Sequence, residues 1–381
     1  MPKIHRAYLL HLIFAPLAAV SNPIAADDKP SSGQEIVQAA RSSIASGEYR
    51  KAAERLTPLV DDSKAAPEIL TTLVLAHIEA GDYERAEPLV SRLRMLTSDA
   101  DALIVMARWN FLNGRIEDSI GNIRNAIKER KKTGVDDLEV APLHVRIADY
   151  LFESARYDDA GKEYTTAIRL IDSEHARLHQ LDIPHDHARY YSPEAVFGLS
   201  RVYAAQGNDA RSTRLRKLNF NRLNSPKLLA QEGYAALSEG KADEADRAFE
   251  KALKAAARRP PYVNVPIEIA VVRGEEPTKL LTMIESAESV ARDYESLMFR
   301  AYALSATGKH EQGLKTIEDA MRLGTPDARL HFFRGLIHHA MGDKTQAAAQ
   351  LNKAMILNPA FNPVLAARAK AILAELETAA R

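Results

Sequence analysis

The chain reads as an all-α solenoid, a stack of repeated helix pairs closed by a terminal helix. Three observations predict it: glycines recur at a fixed period, small and large apolar residues sit at constant offsets from them, and no alternating strand pattern of useful length occurs. Gly47, Gly81 and Gly114 are spaced by 34 and 33, and Gly207, Gly240, Gly274, Gly308 and Gly342 by 33, 34, 34 and 34. Eight of the 17 glycines fall on this register, which marks a repeat unit about the size of one helical hairpin. A chain of 381 residues built this way forms one elongated array whose length no single core limits.

Composition narrows the function. Lys and Arg number 51 and so do Asp and Glu, giving a formal net charge of zero. Nucleic-acid binding needs a basic excess gathered on a face, and none is present. Hydrophobic residues make up 46%, too many for a disordered chain. Cysteine is absent, which removes disulfides, thiolate metal sites and cysteine nucleophiles together.

The first 26 residues differ from the rest. Lys3 and Arg6 precede the apolar run AYLLHLIFAPLAAV, and Ser21, Asn22 and Pro23 follow it. A charged start, an apolar stretch too short and too interrupted for a membrane span, and a small-residue exit predict a secretory signal at 1–26 cut after Ala26. The mature chain then begins at Asp27, with 27–33 as a flexible leader, and localises to a bacterial periplasm.

The clearest repeat runs from Ala328 to Pro359, where Gly335, Gly342, Ala347, Leu351, Ala354 and Pro359 occupy the 8th, 15th, 20th, 24th, 27th and 32nd places. Small residues at the 8th and 20th places let two antiparallel helices approach, and the larger apolar residue at the 24th fills the space beside them. Glycine at the 15th takes the left-handed conformation that caps the first helix, and proline at the 32nd ends the second. This spacing resembles the tetratricopeptide repeat. Ala301, Gly308, Ile317 and Ala320 repeat it, as do Gly233, Gly240, Ala245, Phe249 and Ala252, then Gly81, Ala86 and Val90, then Ala40, Gly47, Ala52 and Leu56. Nine units fill 34–359, and 360–381 reads as an amphipathic capping helix. In such an array each repeat should contact mainly its neighbours.

Departures from the register are informative. Ala148, Ala160, Tyr164 and Ala167 keep it in the fourth unit, but Ala155 stands where glycine is expected, which predicts a different turn. A surplus of seven residues around KERKKTGVDDLEV predicts a solvated helix end. A surplus of 18 before Gly207 predicts an insertion near 171–192, and Pro260, Pro261 and Pro266 leave only a short first helix in the degenerate unit at 260–293.

The insertion is the best place to look for chemistry, because His175, His179, His185 and His187 crowd there with Asp182 and Asp186. His175 and His179 share a helix face and could ligate one metal ion, which would support a metal-binding protein or hydrolase. The protease motif places glutamate directly after its first histidine, however, and this chain has Ala176, so a polar loop is the favoured reading. His331, His338, His339 and the single Trp109 read as packing or surface residues. No serine-nucleophile elbow, phosphate-binding loop or dinucleotide fingerprint occurs, so neither catalysis nor a cofactor is expected.

The resemblance implies that places 2, 5, 9 and 12 of each first helix line a concave groove. At the 9th place stand Arg41, Leu75, Arg108, Asp149, Arg201, Tyr234, Glu268, Tyr302 and Leu336. Arg41, Arg108 and Arg201 should form a broken positive line of exposed guanidiniums, with Tyr234 and Tyr302 as aromatic anchors for a partner peptide. The Lys and Asn pair of the chaperone-tail clamp occurs in no unit. The expectation is a non-catalytic exported scaffold for envelope proteins, with glycan or small-ligand binding in the groove as an alternative.

Overall fold

The computed structural model describes residues 32–60, 66–135, 137–180, 188–257 and 259–379. The expected signal at 1–26 and most of the leader lie outside these residues, as do His185, His187, Asp182 and Asp186. No described helix is long and apolar enough to cross a membrane.

Among the described residues nine helix pairs follow one another. They are α1 (Ser32–Ala45) with α2 (Tyr49–Val60), α3 (Pro67–Ala80) with α4 (Tyr83–Leu96), and α5 (Ala100–Leu112) with α6 (Ile116–Lys132). Next come α7 (Asp137–Glu153) with α8 (Tyr157–Gln180), α9 (Ala188–Ala205) with α10 (Asp209–Asn219), and α11 (Pro226–Ser238) with α12 (Ala242–Ala256). The last are α13 (Asn264–Arg273) with α14 (Pro277–Val290), α15 (Tyr294–Ala306) with α16 (His310–Met321), and α17 (Ala328–Ala340) with α18 (Lys344–Leu357), before the closing helix α19 (Pro363–Ala379). No strand occurs among the described residues. The short α13 is what three prolines allow, and the described parts of both insertions lengthen the helices beside them.

Packing within a unit follows the small-residue rule. A Cβ on Gly335 would lie 2.8 Å from Leu351 Cγ, so the 8th place must stay small for the 24th to fill the space. Ala347, Leu351 and Ala354 are fully buried. At the 15th place Gly342 has φ 77°, with its N–H bonded to His339 O at 3.0 Å and the next N–H to His338 O at 3.0 Å. Ala155 departs from expectation, for its turn is the same one. Its φ is 55°, its N–H meets Phe152 O at 3.0 Å, and the Arg156 N–H meets Leu151 O at 2.9 Å. Two capping hydrogen bonds hold an alanine where its Cβ crowds the following carbonyl oxygen.

The surplus in units three and four is also not simply solvated. It lengthens α6 and α7, and Arg130 at their junction is buried against Asp101 at 2.8 Å and Glu139 at 3.3 Å.

Each repeat packs mainly on its neighbours, as expected, and a second set of contacts is added to these. Each first helix leaves carbonyls in its last turn without an intrahelical donor. In units two to four these are met by residues one superhelical turn further on. The Arg292 N–H bonds Ala80 O at 3.0 Å, the Thr325 hydroxyl bonds Leu112 O at 2.7 Å, and the Asn358 amide bonds Phe152 O at 3.2 Å. Each donor lies in the connection after units seven, eight and nine, so the register of the contact advances one unit at a time. Tyr157 donates to Asn358 Oδ1 at 2.7 Å, the Tyr83 hydroxyl accepts from the Tyr294 N–H at 3.3 Å, and Arg322 pairs with Glu84 at 2.8 Å. The superhelix therefore closes on itself along a seam, and one buried apolar cluster runs from Val37 to Ala369. Helix α19 covers α18 as expected and also reaches α11, with Val364 against the cluster built by α11 and α12.

Two glycines separate the cost of a turn from the cost of the seam. A Cβ on Gly114 would lie 2.7 Å from Gly324 O, whereas one on Gly240 meets open space, and both have positive φ. Gly240→Ala should cost about 1–2 kcal/mol for left-handed backbone alone. Gly114→Ala should cost more and raise hydrogen exchange around residues 322–326 as well as locally; equal melting temperatures for the two variants would refute the seam. Ala155→Gly should stabilise the fold by up to about 1 kcal/mol, the relieved strain less the added entropy of the unfolded chain, as read by urea denaturation.

Candidate functional site

The first helices α1, α3, α5 and onward turn their 2nd and 9th places toward the inside of the superhelix. The arginines at these places are paired rather than free. Arg41 meets Glu68 at 3.0 Å, and Arg108 meets Glu79 at 3.6 Å. Arg201 reaches Glu153 at 3.3 Å with its guanidinium 3.9 Å above the Phe152 ring. The expected positive line is thus neutralised, and these arginines are mostly buried instead of exposed. The reason is desolvation: inside a closed turn an unpaired guanidinium would lose its hydration without compensation.

Tyr234 is 2% exposed, its ring tilted against Phe249 at 5.4 Å, so its role is packing. Tyr302 is half-buried, 5.3 Å from the Phe333 ring, and lines a cavity of about 360 Å³ between α15, α17 and α19. Of the five residues singled out in the sequence, this one reaches open space. His175 and His179 lie on α8, with their side chains outside the described residues. Trp109 is buried beside Tyr83, and His331 meets Gln350 at 2.9 Å, both packing roles.

What the 9th places alone did not reveal is the charge at the 2nd. Arg329 on α17 meets Asp327 at 2.6 Å, Glu268 at 3.2 Å and Glu295, and Asn362 bonds Glu268 at 3.2 Å. Three units and the start of α19 are joined by one guanidinium. Burial by itself would lower the Arg329 pKa, but Asp327, Glu268 and Glu295 together hold it well above its ordinary value. Burial likewise opposes ionisation of Glu295, yet Arg329 and then Lys227 bring it down to about 2. Glu194, at the 2nd place of unit five, has no such partner among the described residues. Burial and then Asp149 push it up to about 7, and burial with Glu295 raises Asp293 to about 6. The pattern of residue types at the 2nd place was visible in the sequence; which acid met which base was not.

The sign of the pH dependence follows. An unfolded glutamate titrates near 4.3, so between that value and about 7 the folded chain holds more protons at Glu194 than the unfolded chain does. Stability must fall as pH rises through this window. Glu194→Gln should therefore raise the melting temperature more at about pH 8 than at about pH 5, the uncharged amide removing the penalty of a buried carboxylate. An equal effect at both pH values would show that Glu194 ionises as freely in the fold as in water.

Tetratricopeptide repeat profiles match residues 43–109, 226–258 and 300–362. No curated protein matches the chain in sequence. Among solved structures, the chain is similar to one in the APC/C hetero-tetramer Cut9-Hcn1, at 12% identity and TM-score 0.42 over 91% of this chain and 56% of that one. It thus spans little more than half of that relative. A tetratricopeptide repeat protein from Parabacteroides merdae is similar at 16% identity and TM-score 0.38, over 73% of this chain and 98% of that one. The P58(IPK) TPR domain gives 12% and 0.27 over 91% and 99%. With the profiles falling on three separate parts of the nine helix pairs seen among the described residues, the chain is a tetratricopeptide repeat protein.

Proposed function

We propose that this protein is an exported, non-catalytic scaffold that holds segments of envelope proteins on its concave face. The repeats make it a protein–protein interaction scaffold. Export and an envelope role are our reading, supported by Lys3, Arg6 and the apolar run that follows them. The observation that carries the binding face is the cavity at Tyr302, where two first helices and α19 leave apolar surface uncovered. Stacked helix pairs generate such a surface without any catalytic residue, because their inner side chains point the same way.

Two measurements test the reading. The mature protein should begin at Asp27 and be recovered in periplasmic extract; a membrane-bound protein that keeps Met1 would overturn export. A photoreactive phenylalanine analogue at Tyr302 or at the exposed Lys227 should cross-link a common envelope partner, and the same group at Ile356, 82% exposed on the last second helix, should not. Equal cross-linking from Ile356 would move the binding face elsewhere.

A further inference from the structure

The cavity between α15, α17 and α19 differs chemically from the rest of the concave face. Tyr302, Leu336, Ala340 and Ile372 give it apolar walls, and Arg368 and His339 are the ionisable groups of basic type on its lining; no Asp or Glu lines it. The arginines at the 2nd and 9th places are held by carboxylates, as with Arg41, Arg108, Arg201 and Arg329. Arg368 is exposed, and no ion pair engages it among the described residues. An arginine left solvated beside apolar walls is complementary to an anion carried next to an apolar group.

The volume, about 360 Å³, lies at the low end of the ~300–1,000 Å³ range of small-ligand pockets and suits one large side chain of a longer segment. Every lining residue is inside a helix, so the backbone N–H groups there are committed to helical hydrogen bonds. A free chain terminus is captured by clustered backbone donors, which this site does not offer. Resting on the concave-face reading above, we infer that the cavity takes an aromatic or aliphatic side chain of a partner segment whose neighbouring Asp or Glu side chain pairs with Arg368. The closing helix is then part of the recognition surface and not only a cover for the last unit.

The probe is a phage-displayed library of short random peptides selected on the intact protein, with enriched peptides synthesised as C-terminal amides and measured by fluorescence anisotropy. Enriched peptides should share an apolar residue close to an acidic one. Arg368→Glu should weaken them by about tenfold or more, Arg368→Lys by less, and a Lys in place of the peptide's acid should bind Arg368→Glu better than wild type. Hydrogen exchange should slow in α15, α17 and α19. Arg368 is exposed, so its variants should melt like wild type, and circular dichroism will verify this. Tight peptides indifferent to Arg368→Glu, or protecting only α1 to α8, would overturn this inference and leave the concave face standing. Peptides that bind only with a free C-terminal carboxylate would overturn the choice of an acidic side chain. Failure to enrich any peptide would remove both readings.

Discussion

The fold depends on how the ends of its first helices satisfy their carbonyls. An α-helix cannot bond the last C=O groups it makes, and a buried one left alone costs about 1–3 kcal/mol. In an open solenoid water would meet them. Here Ala80 O and Leu112 O find Arg292 and Thr325 on the next superhelical turn, and Phe152 O, which the Ala155 N–H already meets, takes a second bond from Asn358. Because both series advance one repeat at a time, the seam holds only while unit lengths between its two sides stay in register. That requirement explains why Gly81 and Gly114 must be glycine twice over, once for positive φ and once because a Cβ would run into Arg292 or Gly324. It also explains why the surplus in units three and four lengthens helices instead of displacing the turn at Ala155.

Closing the turn changes the electrostatics of the inner face. Side chains that would stand in water along an open groove become partly desolvated, and a charge there persists only with a partner. Arg329 shows the strongest form, one guanidinium serving Asp327, Glu268 and Glu295. Glu194 shows the opposite case, a carboxyl that burial drives toward its neutral form. The same physics singles out Arg368, which stays solvated because α19 carries it at the edge of the stack. The binding we propose accordingly centres on the C-terminal end of the concave face, where a cation is left solvated beside apolar walls.

The local architecture is legible in the residues of each unit. Glycine at the 15th place, small residues at the 8th and 20th and a larger apolar residue at the 24th specify a helical hairpin. Their recurrence was enough to count nine hairpins and a closing helix, since these choices act within one unit through backbone conformation and side-chain volume. Ala155 marks the limit of that reasoning: the flanking cap bonds override the preference of the residue, and the turn is retained. The seam, the ion-pair partners and the cavity arise from the stacking of whole units. Arg292, Thr325 and Asn358 look like ordinary loop residues, and Thr325 meets its acceptor 213 positions away in the chain. No periodicity encodes such a contact, because it arises from the small rotation between successive units summed over a whole turn. The same summation carries α19 back to α11 and leaves open space beside Tyr302, which no single repeat contains.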